Sequence, residues 1–159
     1  MALISAVVVP VSHIVIRDYI TNRLDSESVG YWQGMWYISS MYLMVLTSTL
    51  SVYYLPKFSS LRSKYFIWLE MKKGMMIFVL IASILASLIY CLREYIIFIL
   101  FSEKFYNMAV LFKWQLSGDV IKIASWFFGY LMLAKAKMKS FIFCEIFFLY
   151  FLLFYLLYS

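Results

Sequence analysis

Apolar residues in this chain fall into long blocks divided by short polar segments, and the block lengths are those of membrane-crossing helices. About 20 apolar residues, rising 1.5 Å each, cover the roughly 30 Å hydrocarbon core of a bilayer. Residues 31–55, 74–92, 107–134 and 140–158 meet that requirement. Residues 2–16 form a further block that is shorter, about 22 Å as a helix, and is interrupted by Pro10 and His13. Residues 95–101 are too few to span, so they either extend the third helix or lie at the interface. The pattern predicts an all-α fold, a multi-pass transmembrane helix bundle of about five spans, built as one partial bundle over residues 1–159.

Two of the blocks are not uniformly apolar. Within residues 107–134, Gln115, Gly118, Asp119, Lys122, Ser125 and Gly129 share one helical face, an arc of roughly 120° at about 100° per residue. In the second block Gln33, Tyr37, Ser40, Thr47, Ser48 and Ser51, with Met44 beside them, fall within roughly 100° of one another. A charge at the bilayer centre costs about 2.5 to 3.5 kcal/mol on insertion scales, so such faces turn toward other helices or a watered path. Asp119 and Lys122 stand three residues apart, a spacing that predicts an ion pair lowering the cost of each charge. The pair either fixes helix register or serves a path. In the second case Lys122 offers positive charge to an anionic substrate, and Asp119 exchanges a proton or holds the lysine when the site is empty. The hydroxyls of the second block either pack against neighbouring helices or line a cavity. Ala82 with Ala86 and Ser83 with Ser87, four residues apart, predict close helix approach in the third block.

Composition excludes a soluble domain. Only 14% of the residues are charged against about a quarter in soluble proteins, 65% are hydrophobic, and the mean hydropathy is +0.88. Lys57, Arg62, Lys64, Lys72 and Lys73 after the second block and Lys135, Lys137 and Lys139 after the fourth, less Glu70, carry +7, which Asp119, Glu145 and Lys122 within the blocks bring to the net +6. In the alternate segments Arg17, Arg23, Arg93, Lys104 and Lys113 are matched by Asp18, Asp25, Glu27, Glu94 and Glu103. Basic loops stay on the cytoplasmic side, which predicts a cytoplasmic amino end and an outer carboxyl end. The positive charge is thus a topology signal. It is not gathered on one folded face, so no nucleic-acid partner is expected. A secretory signal is a poor reading of the first block, which lacks preceding basic residues and a small-x-small site after it.

Candidate chemistry is sparse. Cys91 and Cys144 lie in apolar blocks, where buried free thiols are expected, and their spacing suggests neither a disulfide framework nor a metal site. Glu145 is placed to anchor to Lys137 or Lys139, and His13 to pack between helices. Tyr31, Trp32, Trp36 and Tyr37 crowd the outer start of the second block, which suits an interfacial aromatic belt or stacking on sugars. There is no Gly-rich phosphate loop, no His and Cys cluster, and no Ser with a His partner. The longest outer segment, residues 17–30, is short for a glycan polymerase that must hold an acceptor. No enzyme activity, catalytic residue, cofactor or metal is expected.

Four phrases narrow the reading: Gly30-Tyr31-Trp32-Gln33-Gly34 followed by Ile38-Ser39; Leu50-Ser51-Val52-Tyr53-Tyr54-Leu55-Pro56; Phe112 through Lys122, reading FKWQLSGDVIK; and Phe128-Gly129-Tyr130-Leu131 with Ala134-Lys135-Ala136. In that order and spacing they resemble the carboxyl-terminal half of the Wzx-type flippases of the polysaccharide exporter superfamily, the group that includes O-antigen and lipid III flippases. The likeness covers about residues 1–148. It implies two six-helix bundles around a cationic cavity, which carry an undecaprenyl-diphosphate-linked oligosaccharide to the periplasmic leaflet by alternating access. This chain would then supply roughly the seventh to eleventh helices. Gln33, Asp119 and Lys122 stand where the motif has the same residues, and with Gln115 they form the substrate path the resemblance implies. Relatives carry an acidic residue after the Ile-Ser pair, where this chain has Ser40, so no proton-coupling role carries over to that position.

The expected protein is therefore a piece of a lipid-linked oligosaccharide flippase in a bacterial inner membrane. Its partners would be the lipid-linked glycan, membrane lipid, and an amino-terminal bundle or a separate chain without which it would not transport. The competing expectation is a small integral membrane interaction or assembly protein without transport activity.

Overall fold

The computed structural model describes residues 2–158, and the side chains of all of these except 2–6, 103, 138, 152 and 155–158. The side chain of Glu103, counted above among the outer charges, falls outside the described residues, as does the end of the aromatic tail. Helices α1 (Ala2–Arg23), α2 (Ser26–Thr49), α3 (Leu55–Ser60), α4 (Lys64–Cys91), α5 (Arg93–Leu100), α6 (Ala109–Ala134) and α7 (Met138–Tyr158) follow in order. A π turn over Leu50–Tyr54 joins α2 to α3, and a 3-10 turn over Glu103–Met108 leads into α6. No strand occurs among the described residues, so the fold is all-α as the periodicity predicts.

Three stretches among the described residues are long and apolar enough to cross a membrane: Ser26–Ser60, Lys64–Cys91 and Lys104–Ala134. Their outward side chains are greasy. Met44, Val45, Leu80, Ile84, Val110 and Ile121 are each at least 60% exposed. A lipid environment removes the cost of that exposure, because acyl chains are as apolar as the side chains themselves. The chain is a multi-pass helical membrane protein.

The helices overrun the apolar blocks. α1 continues past Ile16 to Arg23 because polar side chains bond back along it, Thr21 Oγ1 to the Arg17 carbonyl at 2.9 Å and Asn22 Nδ2 to Asp18 at 3.2 Å. α2 starts where Asp25 accepts the Ser28 N–H at 2.7 Å, an N-cap that satisfies one of the orphan donors of the first turn. That bond also holds the Asp25 carboxyl below the usual aspartate range. α4 begins at Lys64 rather than in the third apolar block at residue 74, so much of the basic segment 56–73 is helical. Residues 95–101 do not extend α4, since the chain breaks at Leu92 and restarts as α5 with Ile97 buried.

Pro56 explains the π turn. It lacks an N–H and its ring crowds the carbonyl four residues back, so a regular α-ladder cannot run through it. The helix widens just before it, and the Leu55 N–H bonds the Leu50 carbonyl five residues back.

The chain divides into two compact units, residues 1–30 with 136–159, and residues 31–135. In the first, α1 and α7 pack on each other. The second holds α4 along α6, with α3 and the π turn also on α6. Its core has two clusters. One is apolar and aromatic: the Tyr54 ring meets Phe127 at 5.1 Å and Phe78 at 5.7 Å, and Phe78 meets Phe127 at 5.3 Å, all edge-to-face. Gly74 lets α4 approach, since a Cβ there would sit 2.6 Å from the Tyr54 ring. The other cluster joins Met35, Ile38, Ala86, Ile97, Met108, Phe112 and Leu116. Tyr42 and Val120 pack against both. Ala82 and Ala86 are buried, as their close spacing predicts. The cysteines depart from expectation: Cys91 and Cys144 are free but exposed.

Candidate substrate-path site

The site is built on α2 and α6 within the second unit. Asp119, about two-fifths of the way along α6, is 1% exposed. Its carboxylate is held entirely by neutral groups. Tyr42 donates to Oδ2 at 2.8 Å, Ser39 makes a short hydrogen bond to the same oxygen, and Gln115 Nε2 donates to Oδ1 at 3.2 Å. Gln115 Nε2 also reaches Ser39 Oγ at 3.3 Å, closing the network. Gln115 and Asp119 are four residues apart and Ser39 and Tyr42 three apart, so each helix offers both its contributions from one face.

The predicted Asp119 and Lys122 ion pair does not form. Lys122 is exposed, and its ammonium lies 5.4 Å over the Trp126 ring, one turn further along α6. The correction is geometric. Asp119 points toward α2, where Ser39 and Tyr42 bond it while Gln115 bonds it from its own helix, and the lysine leans away to an aromatic face that accepts a cation. What keeps both near one another is a hollow of about 370 Å³ lined by Trp32, Met35, Leu111, Trp114, Gln115, Gly118, Asp119 and Lys122. Gly118 lies on its open side, where a Cβ would meet nothing within 4 Å. The hollow thus combines two indoles, an amide, a carboxylate and an ammonium, a set able to hydrogen-bond hydroxyls, stack on apolar sugar faces and attract an anion.

Three of the four expected path residues, Gln115, Asp119 and Lys122, meet at this hollow. Gln33 does not line it; it is half-buried on α2 beside Trp32. Ser39 and Tyr42 were missed as site residues, since neither belongs to the polar stripe of α2. The stripe itself faces away from the core: Tyr37, Ser48 and Ser51 are exposed, and Ser40, Thr47 and Ser48 bond carbonyls of their own helix. The Ile38-Ser39 phrase was the available signal for Ser39. Among the described residues no group of acidic, His or Cys side chains could hold a metal ion.

The two ends of this unit differ. At one, Lys135 bonds the Leu61 carbonyl and Lys57 pairs with Glu70 at 2.6 Å, which brings the basic segments after α3 and α6 together. At the other, Tyr31 donates to the Lys104 carbonyl at 2.9 Å and packs edge-on to Phe105.

Comparison with known proteins gives two findings. Residues 2–159 match the family described as Taste receptor protein (TAS2R). The chain is also 42% identical over 147 residues to the Lipid III flippase of Escherichia coli (strain K12), and equally to the Lipid III flippase of Shigella flexneri. Those residues make up 92% of this chain and 35% of each relative, so the chain spans about a third of their length. No solved structure matches. The two findings point to different families, and the likeness to the flippases is the one that rests on residue identity. A run of apolar, aromatic helices satisfies the pattern of many membrane families, whereas agreement at 42% of 147 positions fixes particular side chains in order.

Proposed function

We propose that this chain is part of a Wzx-type flippase, a reading its 42% identity to two lipid III flippases supports, and that it contributes one wall of a translocation path for an undecaprenyl-diphosphate-linked glycan, of O-antigen or related type, in a bacterial inner membrane. The observation that carries this reading is the buried Asp119 network opening onto a hollow that also holds Lys122, Trp32 and Trp114. Lys122 draws the diphosphate, the indoles and the Gln115 amide meet the sugar, Asp119 holds Gln115 in place from behind, and the lipid tail stays in the bilayer. No bond is made or broken, so the protein acts as a carrier and not as a catalyst. The exposed polar face of α2 and the open rim at Gly118 and Lys122 support a second set of helices facing them, against which this unit would rock to switch access. The basic end at Lys57, Arg62 and Lys135 faces the cytoplasm in this reading, with the amino end inside and the carboxyl end in the periplasm.

The test is complementation of a flippase-deficient bacterium by this chain, expressed alone and together with a chain supplying the remaining helices of a lipid III flippase. Glycan export is expected only from the combination, and Lys122→Gln or Asp119→Asn in this chain should abolish it at unchanged membrane levels. Export by the chain alone would overturn the need for facing helices. Full export by both variants would overturn the path.

A further inference from the structure

A second concave site lies on the opposite side of α6, in the seam with α4. It encloses about 570 Å³ and is lined by Ser83, Ala86, Ser87, Tyr90, Cys91, Lys113, Leu116, Ser117 and Val120. It shares no residue with the Asp119 hollow. Lys113 occupies its mouth together with the last turn of α4, Tyr90 and Cys91, while Ser83 and Val120 lie about 10 Å deeper along the helices. The mouth is polar and cationic, and the deeper wall is formed mainly by Ala86, Leu116, Val120 and the small Ser83.

The depth of the mouth is that of a lipid headgroup. Tyr90, Tyr95, Tyr106 and Trp114 are all exposed at this end of the unit, at 40%, 69%, 59% and 73%, which marks the interfacial belt where amphipathic rings settle. Charge gives the ligand its sign. No carboxylate lines the seam. The nearest acidic side chain along α5, Glu94, is already bonded to Arg93 at 3.3 Å, and the Arg93 guanidinium is stacked 4.6 Å over Tyr90. Among the described residues Lys113 has no acidic partner; its ammonium lies 5.9 Å from the Trp114 ring. Ser83 and Ser117 spend their protons on carbonyls of their own helices, at 2.7 Å each, leaving the hydroxyls of Ser87 and Tyr90 at the mouth.

We propose that the α4 and α6 seam is a binding site for an anionic phospholipid. Lys113 pairs with the phosphodiester, Ser87 and Tyr90 donate to its oxygens, and the first part of one acyl chain lies along Ala86, Leu116 and Val120. The site is independent of the translocation reading, because it uses the lipid face of α6 and needs no transported glycan. A tied lipid would fill the seam between two packed helices and give the unpaired ammonium its counterion.

The test is native mass spectrometry of the purified chain in detergent, titrated with phosphatidylglycerol and, separately, with phosphatidylcholine. Phosphatidylglycerol should be retained about tenfold better than phosphatidylcholine. Lys113→Gln should remove that preference, Ser87→Trp should block retention of both lipids by filling the seam, and Lys73→Gln at the far end of α4 should change nothing. Inorganic phosphate should not compete, which separates a lipid site from a free-anion site. Equal retention of the two lipids, or an unaltered preference in Lys113→Gln at wild-type helicity, would overturn the proposal.

Discussion

The two core clusters of the second unit are neighbours built on opposite principles. Around Tyr54, Phe78 and Phe127 every contact is shape against shape, and a glycine at position 74 removes a Cβ so that rings can close. Beside the other cluster, α2 and α6 are joined through a carboxylate and three neutral donors. Lipid tails compete poorly with tight packing, so the aromatic cluster holds the helices together. A buried carboxylate brings a desolvation cost that hydrogen bonds of about 0.6 kcal/mol each in membranes do not plainly exceed. The contrast separates a region whose packing secures the fold from one whose hydrogen bonds do not outweigh the burial of a charge.

That contrast can be broken by substitution. The largest effect is expected from Phe127→Ala, which empties the centre of the aromatic cluster and should cost about 3 kcal/mol in a denaturant titration in micelles. Gly74→Ala should act in the same direction through its clash with Tyr54. Next comes Asp119→Leu, which takes the acceptor away from Ser39, Tyr42 and Gln115 and should cost about 1 to 3 kcal/mol. Adding Ser39→Ala, Tyr42→Phe and Gln115→Leu to it should recover stability to wild type or above. Failure to recover would make the network a structural element and erase the distinction. Lys122→Met should stay within about 0.5 kcal/mol, because the side chain is exposed and its one contact is a ring on its own helix.

The smallest effect is a matter of pH. The Asp25 carboxyl is held low by the Ser28 N–H, so its contribution to the start of α2 is present above the ordinary aspartate range and is lost as pH falls through the lowered value. The Ser28 amide should therefore lose protection in acid, its exchange rising relative to the intrinsic rate at the same pH, and Asp25→Ala should remove that protection at every pH.

The helical membrane architecture was legible because block length and lipid thickness share one scale. Helix ends were less so: Arg23 and Lys64 lie outside apolar blocks, and hydrogen bonding along the helix, not hydropathy, carries the chain to them. At the site, the wet face of α6 was readable from residue spacing, which fixes direction around an axis. The partner of Asp119 was not, since spacing within one helix cannot weigh Lys122 against residues about eighty positions away on α2. Ser39 and Tyr42 were hidden by lying next to the more obvious stripe, which turned out to face outward.

The wide turn at Leu50–Tyr54 sets the rotational phase of α3 against α2. Leu50, Tyr54 and Phe58 are all buried at intervals of four residues, and in an uninterrupted α-helix such a row would slide round the axis by about 40° at each step. Unwinding the backbone by one residue cancels the slide and keeps the row in line. Lys57 is thereby left on the flank where it meets Glu70, so a clasp between two helices at one end of the unit is timed by an uncharged proline one residue before it.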